Sequence, residues 1–388
     1  MCNISAFKTL LLGSAFILTC SAQAQTKAVA LDMSPFGDAS RHWYGIPDKH
    51  NMIQPAPGHP QYASTDLDAI GQNILLYQKS NGGWPKNYDM LAILTPKQKD
   101  TLIANKSELN TTIDNGTSYT HVAALAQIYA VTKNNSYKEA AIKGLHYLLE
   151  AQYRNGGWPQ YYPLEKNYSS HITYNDDAMA GVMFLFKSIT DGDTLYNFLS
   201  STQRNRIKSA FNKGIDCILN TQIREKGVAT AWCQQHDEVT LAPAWARKFE
   251  PPSICNAESV KILQLLMSIK NPSPAIIKAV DQAVAWFRQS AIHGIRIETI
   301  QAPAANDGIF GKTLRTDRIV VADSTAPDIW TRYYELGTHR PLFCNRDSKV
   351  VYSLAEVERE RRVGYAWYTD APKKILDKYE SWRQKNLL

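Results

Sequence analysis

The sequence predicts an all-α protein built from about three to four helical hairpins. A Gln-x-x-Asn-Gly-Gly-Trp-Pro motif occurs over residues 78–85 and again over residues 152–159. The first copy follows a segment with apolar residues at helical spacing, and Asn-Gly-Gly then favours a turn. A recurrence at this separation is typical of a duplicated supersecondary unit. We therefore expect each unit to end a helix and begin a loop.

The first helix and two weaker recurrences support this interpretation. Leu67, Ile70, Ile74 and Tyr77 are spaced by three and four residues and form one apolar helical face. Gln and aromatic residues again follow helical stretches over 221–233 and 287–289. No linker of biased composition divides these units, which favours one domain.

The N-terminus differs from the rest of the chain. Lys8, the apolar run from Leu10 to Leu18 and Ala22-Gln23-Ala24 match the three regions of a secretory signal peptide. We predict a signal peptide over 1–24, an extended lead-in over 25–60 and one α-helical domain over 61–388. Export to the periplasm or medium follows. A lipid anchor on Cys20 is an alternative, although the small residue usually found before such a cysteine is absent.

The charge and the cysteine content indicate which classes of ligand and metal site the chain could have. The formal net charge of +7 falls to about +6 when Lys8 leaves with the signal peptide, and a basic protein suits an acidic ligand. Export and the lack of a basic recognition helix argue against nucleic acid. No later segment is apolar enough to span a membrane, and a monomer is expected. The cysteines that remain after signal cleavage are Cys217, Cys233, Cys255 and Cys344. An oxidising compartment would permit two disulfides among them, and the lack of a CxxC pair argues against a zinc site.

Two acidic clusters follow the two copies of the repeated motif. Residues 111–117 contain Asp114 and residues 171–179 contain Asp176 and Asp177, each cluster just before an apolar helical run. An isolated acid at such a position is equally well explained as a helix cap. In a toroid of hairpins, however, both clusters would project from the same end. Carboxylates without His or Cys suit Ca²⁺, so these three acids are predicted calcium ligands.

Arginines mark the remaining polar clusters. Arg247 is flanked by Trp245 and Phe249, and a surface arginine stacked on an aromatic ring is the alternative to a functional role. Guanidinium groups are well suited to binding sugar carboxylates. Further arginines lie towards the C-terminus: Arg315, Arg318, Arg332 and Arg346.

Several long motifs together point to one family. They are Asn-Gly-Gly-Trp-Pro twice, Thr-Ile-Asp-Asn-Gly, Tyr-Asn-Asp-Asp-Ala-Met, Trp-Cys-Gln-Gln-His-Asp, Pro-Ala-Trp-Ala-Arg-Lys-Phe-Glu-Pro-Pro-Ser and Arg-Tyr-Tyr-Glu-Leu. In these motifs the chain resembles the family 10 polysaccharide lyases, which are pectate lyases. The resemblance covers roughly residues 66–346 and implies an α/α toroid, an incomplete (α/α) barrel whose long irregular loops form the site.

The resemblance also implies an activity and residue roles. The expected reaction is Ca²⁺-dependent β-elimination of α-1,4-polygalacturonate, which gives 4,5-unsaturated oligogalacturonides. Arg247 would be the base that removes the C5 proton, and Asp114 with Asp176 or Asp177 would form the metal site. The residues expected to bind substrate are Arg318, Arg332, Arg346, Lys248 and Tyr174.

The implied base conflicts with ordinary side-chain chemistry. Because the pKa of arginine lies above 12, nearby cations would have to disfavour the charge on Arg247, and activity should be greatest at alkaline pH. From the chemistry of the residues alone, His236, Lys248 or Tyr174 would be considered first.

Two other functions remain open on the sequence. A glycoside hydrolase of the same architecture could draw its acid and base from Asp176, Asp177, Asp237 and Glu250. A non-catalytic binding protein for acidic glycans could use the same arginines and aromatic residues without cleaving the chain.

Overall fold

The computed structural model describes residues 29–45, 53–55, 58–308, 311 and 313–386. The predicted signal peptide over 1–24 lies outside these residues. The α-helices of the described part are α1 (Gly37–Gly45), α2 (Leu67–Tyr77), α3 (Pro96–Ala104), α4 (Tyr119–Thr132), α5 (Asn135–Glu150), α6 (Ala178–Thr190), α7 (Ser201–Thr221), α8 (Asn256–Met267), α9 (Pro274–Gln289), α10 (Arg359–Gly364) and α11 (Lys373–Lys385). Within these ranges, none of the helices combines the length and apolar character needed to cross a bilayer.

The helices pack as a succession of pairs. Helix α4 packs against α5, α6 against α7, and α8 against α9. Helices α2, α4, α6 and α8 also contact one another in that order, while α5, α7 and α9 form a second series. The pairs therefore repeat along the chain and bury a continuous apolar core between them.

The repeated tryptophan has the same structural role in each unit. Trp84, Trp158 and the weaker match Trp232 are fully buried. Each indole N–H donates to a carbonyl oxygen near the end of the preceding helix, at 2.7–2.8 Å. A buried indole N–H needs such an acceptor. The tryptophan thus fixes the loop after each helix to the helical body.

The repeated glutamine joins neighbouring units. The side-chain amides of Gln78, Gln152 and Gln222 each donate to a carbonyl oxygen of the following loop. Each also donates to a carbonyl oxygen in the next helix of the second series, at 2.8–2.9 Å. The motif recurs in sequence because each unit needs the same two attachments.

The prediction of an all-α toroid is wrong. Of the described residues, 46% are helical and 15% lie in strands, so the chain belongs to the mixed helix-and-sheet class. The longest strands, β6 (Ile295–Asn306) and β7 (Thr313–Ala322), pair antiparallel from Ile295 opposite Ala322. The strand signal was present, since Ile295, Ile297 and Thr299 alternate with charged residues. The helical repeats elsewhere in the chain led to the all-α prediction despite this strand pattern.

The remaining strands are short and pair with one another between the loops that connect the helices. They are β1 (Ile172–Thr173), β2 (Arg224–Glu225), β3 (Val228–Ala229), β4 (Gln235–His236), β5 (Ile254–Cys255), β8 (Trp330–Thr331), β9 (Tyr333–Tyr334), β10 (Pro341–Cys344), β11 (Val350–Val351) and β12 (Tyr368–Thr369). A four-stranded sheet has the order β11-β10-β9-β5, and the other pairs are β1 with β4, β2 with β3, and β8 with β12.

Two other expectations can be compared with the structure. Part of the lead-in predicted to be extended is helical, because Pro35 favours a 3-10 turn over Ser34–Phe36 and α1 follows with Asp38 in its first turn. The domain boundaries themselves stay predictions. The four cysteines expected in the exported chain are buried and free: Cys217, Cys233, Cys255 and Cys344.

Candidate active site

Two short turns carry the predicted calcium ligands. Asp114–Gly116 forms a 3-10 turn before α4, and Asn175–Asp177 forms one before α6. Their central residues, Asn115 and Asp176, both have a φ of 49°, in the left-handed region that Asn and Asp adopt more readily than most residues. The two turns contact each other. The structure thus brings the two acidic clusters together.

The repeated tryptophans position both turns. The backbone N–H of Thr112 donates to the carbonyl oxygen of Trp84, and that of Thr173 donates to Trp158, both at 3.0 Å. Because both tryptophans are anchored to the helical body, the polar residues that follow are held side by side at its surface.

The two carboxylate oxygens of Asp114 differ in their hydrogen bonding. Its side chain is buried, and Oδ2 accepts a hydrogen bond from Lys86 Nζ at 2.5 Å. Burial opposes the charge on Lys86, but Asp114 outweighs this effect and the pKa of Lys86 is raised. Oδ1 of Asp114 is buried with no hydrogen-bond partner among the described residues.

Asp176 and Asp177 have different surroundings. Asp176 is open to the solvent of a cleft but has protein on most sides. This limited hydration, together with the nearby carboxylates of Asp114 and Glu258, raises the pKa of Asp176 to about 7 against the opposing charge of Arg332. Asp177 is half exposed and lies 3.4 Å from Lys261 Nζ. Asp176 is therefore the acid that faces the other carboxylate.

Arg332 and Glu258 form a pair beside the turns. Arg332 Nη2 lies 2.5 Å from Glu258 Oε1 and 3.3 Å from the side-chain oxygen of Asn175. Nε of Arg332 and Oε2 of Glu258 are buried without a hydrogen-bond partner among the described residues. The Nε donor of Arg332 and the Oε2 acceptor of Glu258 are therefore available to a ligand.

Arg247 is held by a glutamate in its own loop. Its Nε and Nη2 donate to the carboxylate of Glu250 at 2.8 and 2.5 Å, and its backbone N–H donates to the same group at 3.1 Å. Limited hydration disfavours the charge on Arg247, but Glu250 outweighs it and the pKa of the guanidinium is raised. The pKa of Arg247 is therefore set by Glu250 and not by the neighbouring cations that were expected to lower it.

Arg318 and Arg346 reach the same region from other segments. Arg318 on β7 donates to the carbonyl oxygen of Tyr365 at 3.0 Å. Arg346 makes two hydrogen bonds of 2.9 Å to Glu360. The Tyr365 ring lies 4.7 Å from the guanidinium carbon of Arg332, so Tyr365 connects two of the predicted substrate-binding arginines.

Three of the residues considered from sequence are placed differently. Tyr174 is buried, and its hydroxyl shares a 2.7 Å hydrogen bond with Thr221. His236 is fully buried, its pKa is lowered to about 4 by burial, and both ring nitrogens contact backbone groups. Lys248 is exposed. The first two serve the core, which argues against a role for Tyr174 in substrate binding.

A cavity of about 1010 Å³ extends from the two turns. Asp176, Glu258 and Arg332 line one side, and the N-terminal segment contributes Pro35 and Phe36. The α1 region therefore forms part of the wall beside the site.

The donor set fits a hard cation. Buried oxygens of Asp114 and Glu258 lack partners among the described residues, and Asp176 has a raised pKa beside them. A cation with oxygen ligands such as Ca²⁺ would satisfy these carboxylates. The three predicted acids do not form a preassembled group. The group of potential ligands found within 4.8 Å of one another, in the part of the chain that the structure describes, is His171, Asp237 and Glu238.

Comparison with known families decides the class of protein. A profile described as pectic acid lyase matches residues 78–376, which is well over half of the chain and includes both turns, Arg247 and Arg332. The chain belongs to the pectic acid lyase family. The resemblance inferred from the motifs is confirmed, and so is the prediction that the chain is an enzyme of the polysaccharide lyase class.

Solved structures agree with the assignment to the pectic acid lyases. A family 10 polysaccharide lyase from Cellvibrio cellulosa is 30% identical, with a TM-score of 0.67, and the match covers 82% of this chain and 92% of that one. A variant of a family 10 lyase from the same organism in complex with trigalacturonic acid is 29% identical, with a TM-score of 0.68 and coverage of 83% and 93%. The curated proteins contain no match.

Sequence reasoning missed two residues of this pectic acid lyase site. Glu258 was not among the predicted site residues, yet it is buried against Arg332 beside the two turns. Tyr365 lies in the tail beyond the recognised motifs, but its hydroxyl donates to Glu250 at 3.0 Å. The available signal was the aromatic content of Tyr365-Ala366-Trp367-Tyr368, since aromatic residues are enriched in strands.

Proposed function

We propose that this enzyme cleaves α-1,4-polygalacturonate by Ca²⁺-dependent β-elimination and releases 4,5-unsaturated oligogalacturonides. One observation carries the proposal: the two acidic turns meet beside the Arg332–Glu258 pair, where buried carboxylate oxygens of Asp114 and Glu258 lack hydrogen-bond partners among the described residues. Uronate carboxylates and a shared cation would complement both sets of charges. Family membership and the trigalacturonic acid complex of the Cellvibrio variant support an acidic polysaccharide substrate.

We assign calcium binding to Asp114 and Asp176, with Glu258 beside them. Asp176 is chosen over Asp177 because the carboxylates of Asp114 and Glu258 act on Asp176, whereas Asp177 lies near Lys261. When bound, Ca²⁺ supplies positive charge that stabilises the negative charge developing on the uronate carboxylate. Ionised Asp176 is needed to hold the cation, so its raised pKa predicts weaker binding in acid.

The arginines would orient the substrate. Arg332 is fixed by Glu258 and retains an unused Nε, and Arg318 and Arg346 approach from β7 and the loop after β10. Guanidinium groups held in this way can bind successive galacturonate carboxylates without a large loss of side-chain entropy. Lys248 is exposed next to Arg247 and could add a further charge.

Arg247 is proposed as the base. It would take the C5 proton, the C5–H electron pair would form the C4–C5 double bond, and the C4–O bond would break as the neighbouring sugar leaves. The salt bridge to Glu250 opposes this role because it stabilises the charged guanidinium. The neutral base therefore has to form after that contact loosens, beside cations in the loaded site. The rate should rise with pH.

The test is ultraviolet absorbance on mixing the protein with polygalacturonate at about pH 9, the alkaline side that such a base requires. A rise with Ca²⁺ that excess chelator abolishes is the expected result, because only elimination gives a conjugated double bond. Falling viscosity without absorbance would instead mean hydrolysis, and no change in either would mean binding without cleavage.

The role of Arg247 has its own test. Arg247→Lys keeps a positive charge but loses the planar group held by Glu250, and we expect kcat to fall by at least about 100-fold, the usual contribution of a general base. Arg288→Lys, in α9 and paired with Glu380, is the control. Near-full turnover of the Arg247 variant would rule out this base.

We further propose that the enzyme acts outside the cytoplasm, as the predicted signal peptide and a polymeric pectic substrate both suggest. Fractionation of expressing cells with and without residues 1–24 tests this localisation.

A further inference from the structure

Arg361 is a buried arginine in a segment whose charges suggest a solvated surface. The run from Glu356 to Arg362 is of mixed charge, a pattern typical of a solvent-facing helix. Arg361, on α10, is only 5% exposed. Its neighbour Arg362 pairs with Asp317 at 2.6 Å, but Arg361 points into the protein.

Aromatic rings take the place of an acidic partner. The guanidinium carbon of Arg361 lies 3.8 Å from the centre of the Phe249 ring and 4.0 Å from that of Tyr365. Its Nε and Nη2 are buried with no hydrogen-bond partner among the described residues. Burial lowers the pKa of Arg361, and the charges of Arg346 and Arg247 lower it further, although Tyr365 and Glu360 act in the opposite direction. Burying an unneutralised cation is costly.

The same rings surround the Arg247–Glu250 pair. Phe249 lies between these two residues in sequence, and its ring is 5.0 Å from the guanidinium carbon of Arg247. The Tyr365 hydroxyl donates to Glu250 at 3.0 Å. Arg361 therefore contacts both side chains that border the proposed base and its carboxylate partner.

Charge around this ring is not balanced locally. Arg247, Arg346 and Arg361 all lie over Phe249. Glu250 neutralises Arg247, and Glu360 neutralises Arg346. The remaining positive charge is that of Arg361.

We propose that Arg361 is a positioning residue for the reaction. It fixes Phe249 and Tyr365, and through them the Arg247–Glu250 pair, while its positive charge makes the charged form of Arg247 less favourable. This role rests on the proposed function of Arg247 as base. It also explains why a costly buried cation is placed beside the one arginine that must lose a proton.

The test compares Arg361→Gln with Arg361→Lys in the full chain, using initial rates of absorbance increase on polygalacturonate across pH. Arg361→Gln should lower kcat about 10-fold or more, since small displacements of a reacting group are costly, with little change in KM. Its pH–rate profile should rise at higher pH than that of the wild type, because a positive charge near Arg247 is gone. Arg361→Lys keeps the charge and should restore the wild-type pH dependence, with part of kcat.

Arg288→Gln is the control, since Arg288 also lies over a tyrosine ring, 5.3 Å from the centre of Tyr379, but on the helical body. Should Arg361→Gln fail to fold, Tyr365→Phe tests the same connection by removing the hydroxyl from Glu250, and its profile should also shift to higher pH. Elimination by the wild type with an unshifted profile in these variants, or a change in KM alone, would overturn the role of Arg361. Loss of elimination in the wild type would instead count against the proposed function.

Discussion

The turns at Asp114–Gly116 and Asn175–Asp177 have the same backbone and different carboxylate chemistry. Both are 3-10 turns with a left-handed central residue, and both follow a threonine whose backbone N–H donates to the carbonyl oxygen of a buried tryptophan. In the first turn the acid is the leading residue, buried and paired with Lys86. In the second it is the central residue, Asp176, which faces the cleft and has a raised pKa.

The difference shows how a duplicated unit can build an asymmetric site. The repeat supplies two similar supports, and the acid occupies a different position in each turn. Asp114 is paired with its lysine, whereas the proposed Ca²⁺ would neutralise Asp176.

The largest effect is expected at the second turn. Asp176→Asn should lower kcat/KM on polygalacturonate by about 100-fold or more, the scale of losing one preorganised charge at a reacting centre. Asp177→Asn is the matched control, and its exposed pairing with Lys261 is worth no more than about 1 kcal/mol. Steady-state rates at saturating Ca²⁺ measure both. Equal losses in the two variants would show that Asp177 shares the cation.

The first turn should influence the second through charge. Asp114→Asn removes a carboxylate that raises the pKa of Asp176, so that pKa should fall below about 7. The titration of the Asp176 carboxyl carbon by NMR, without Ca²⁺, measures it. The variant also leaves Lys86 without its acid, and we expect about 1.5–3 kcal/mol of lost stability, as for hydrogen bonds to charged groups. An unchanged pKa would mean that the two turns do not interact electrostatically.

The smallest effect tests the common support. Trp84→Phe and Trp158→Phe each remove an indole donor and leave a helix carbonyl oxygen unpaired, which should cost about 1–3 kcal/mol. Urea unfolding of both variants should give similar losses. A loss confined to one of them would show that the two turns are not supported equivalently.

Local sequence predicted the segments that the structure brings together better than it predicted the class of fold. The Asn-Gly-Gly-Trp-Pro repeats located the turns, because the same hydrogen bonds recur in each unit. The all-α expectation failed at β6 and β7, where alternation over Ile295–Asn306 was outweighed by the helical repeats elsewhere. Periodicity assigns each segment separately, so a dominant repeat does not extend to the rest of the chain.

Residues whose roles depend on distant partners were beyond sequence reasoning. Asp176 and Asp177 are adjacent in the chain, and only the positions of Asp114 and Lys261 distinguish them. The residues around Arg361 have the mixed charge of a surface helix. Arg361 is nevertheless buried, because it packs against Phe249, which lies more than a hundred residues earlier in the chain. Composition reports the charge of a segment but not the surface against which it folds.

The most direct test is calorimetric titration of Ca²⁺ into the wild-type protein at pH 8 and pH 6. A group with a raised pKa of about 7 is mostly ionised at pH 8 and mostly protonated at pH 6. We therefore predict affinity about 10-fold weaker at pH 6, and loss of binding in Asp176→Asn at both values. Equal affinity at the two pH values, or undiminished binding by Asp176→Asn, would contradict a calcium site shared between the two turns.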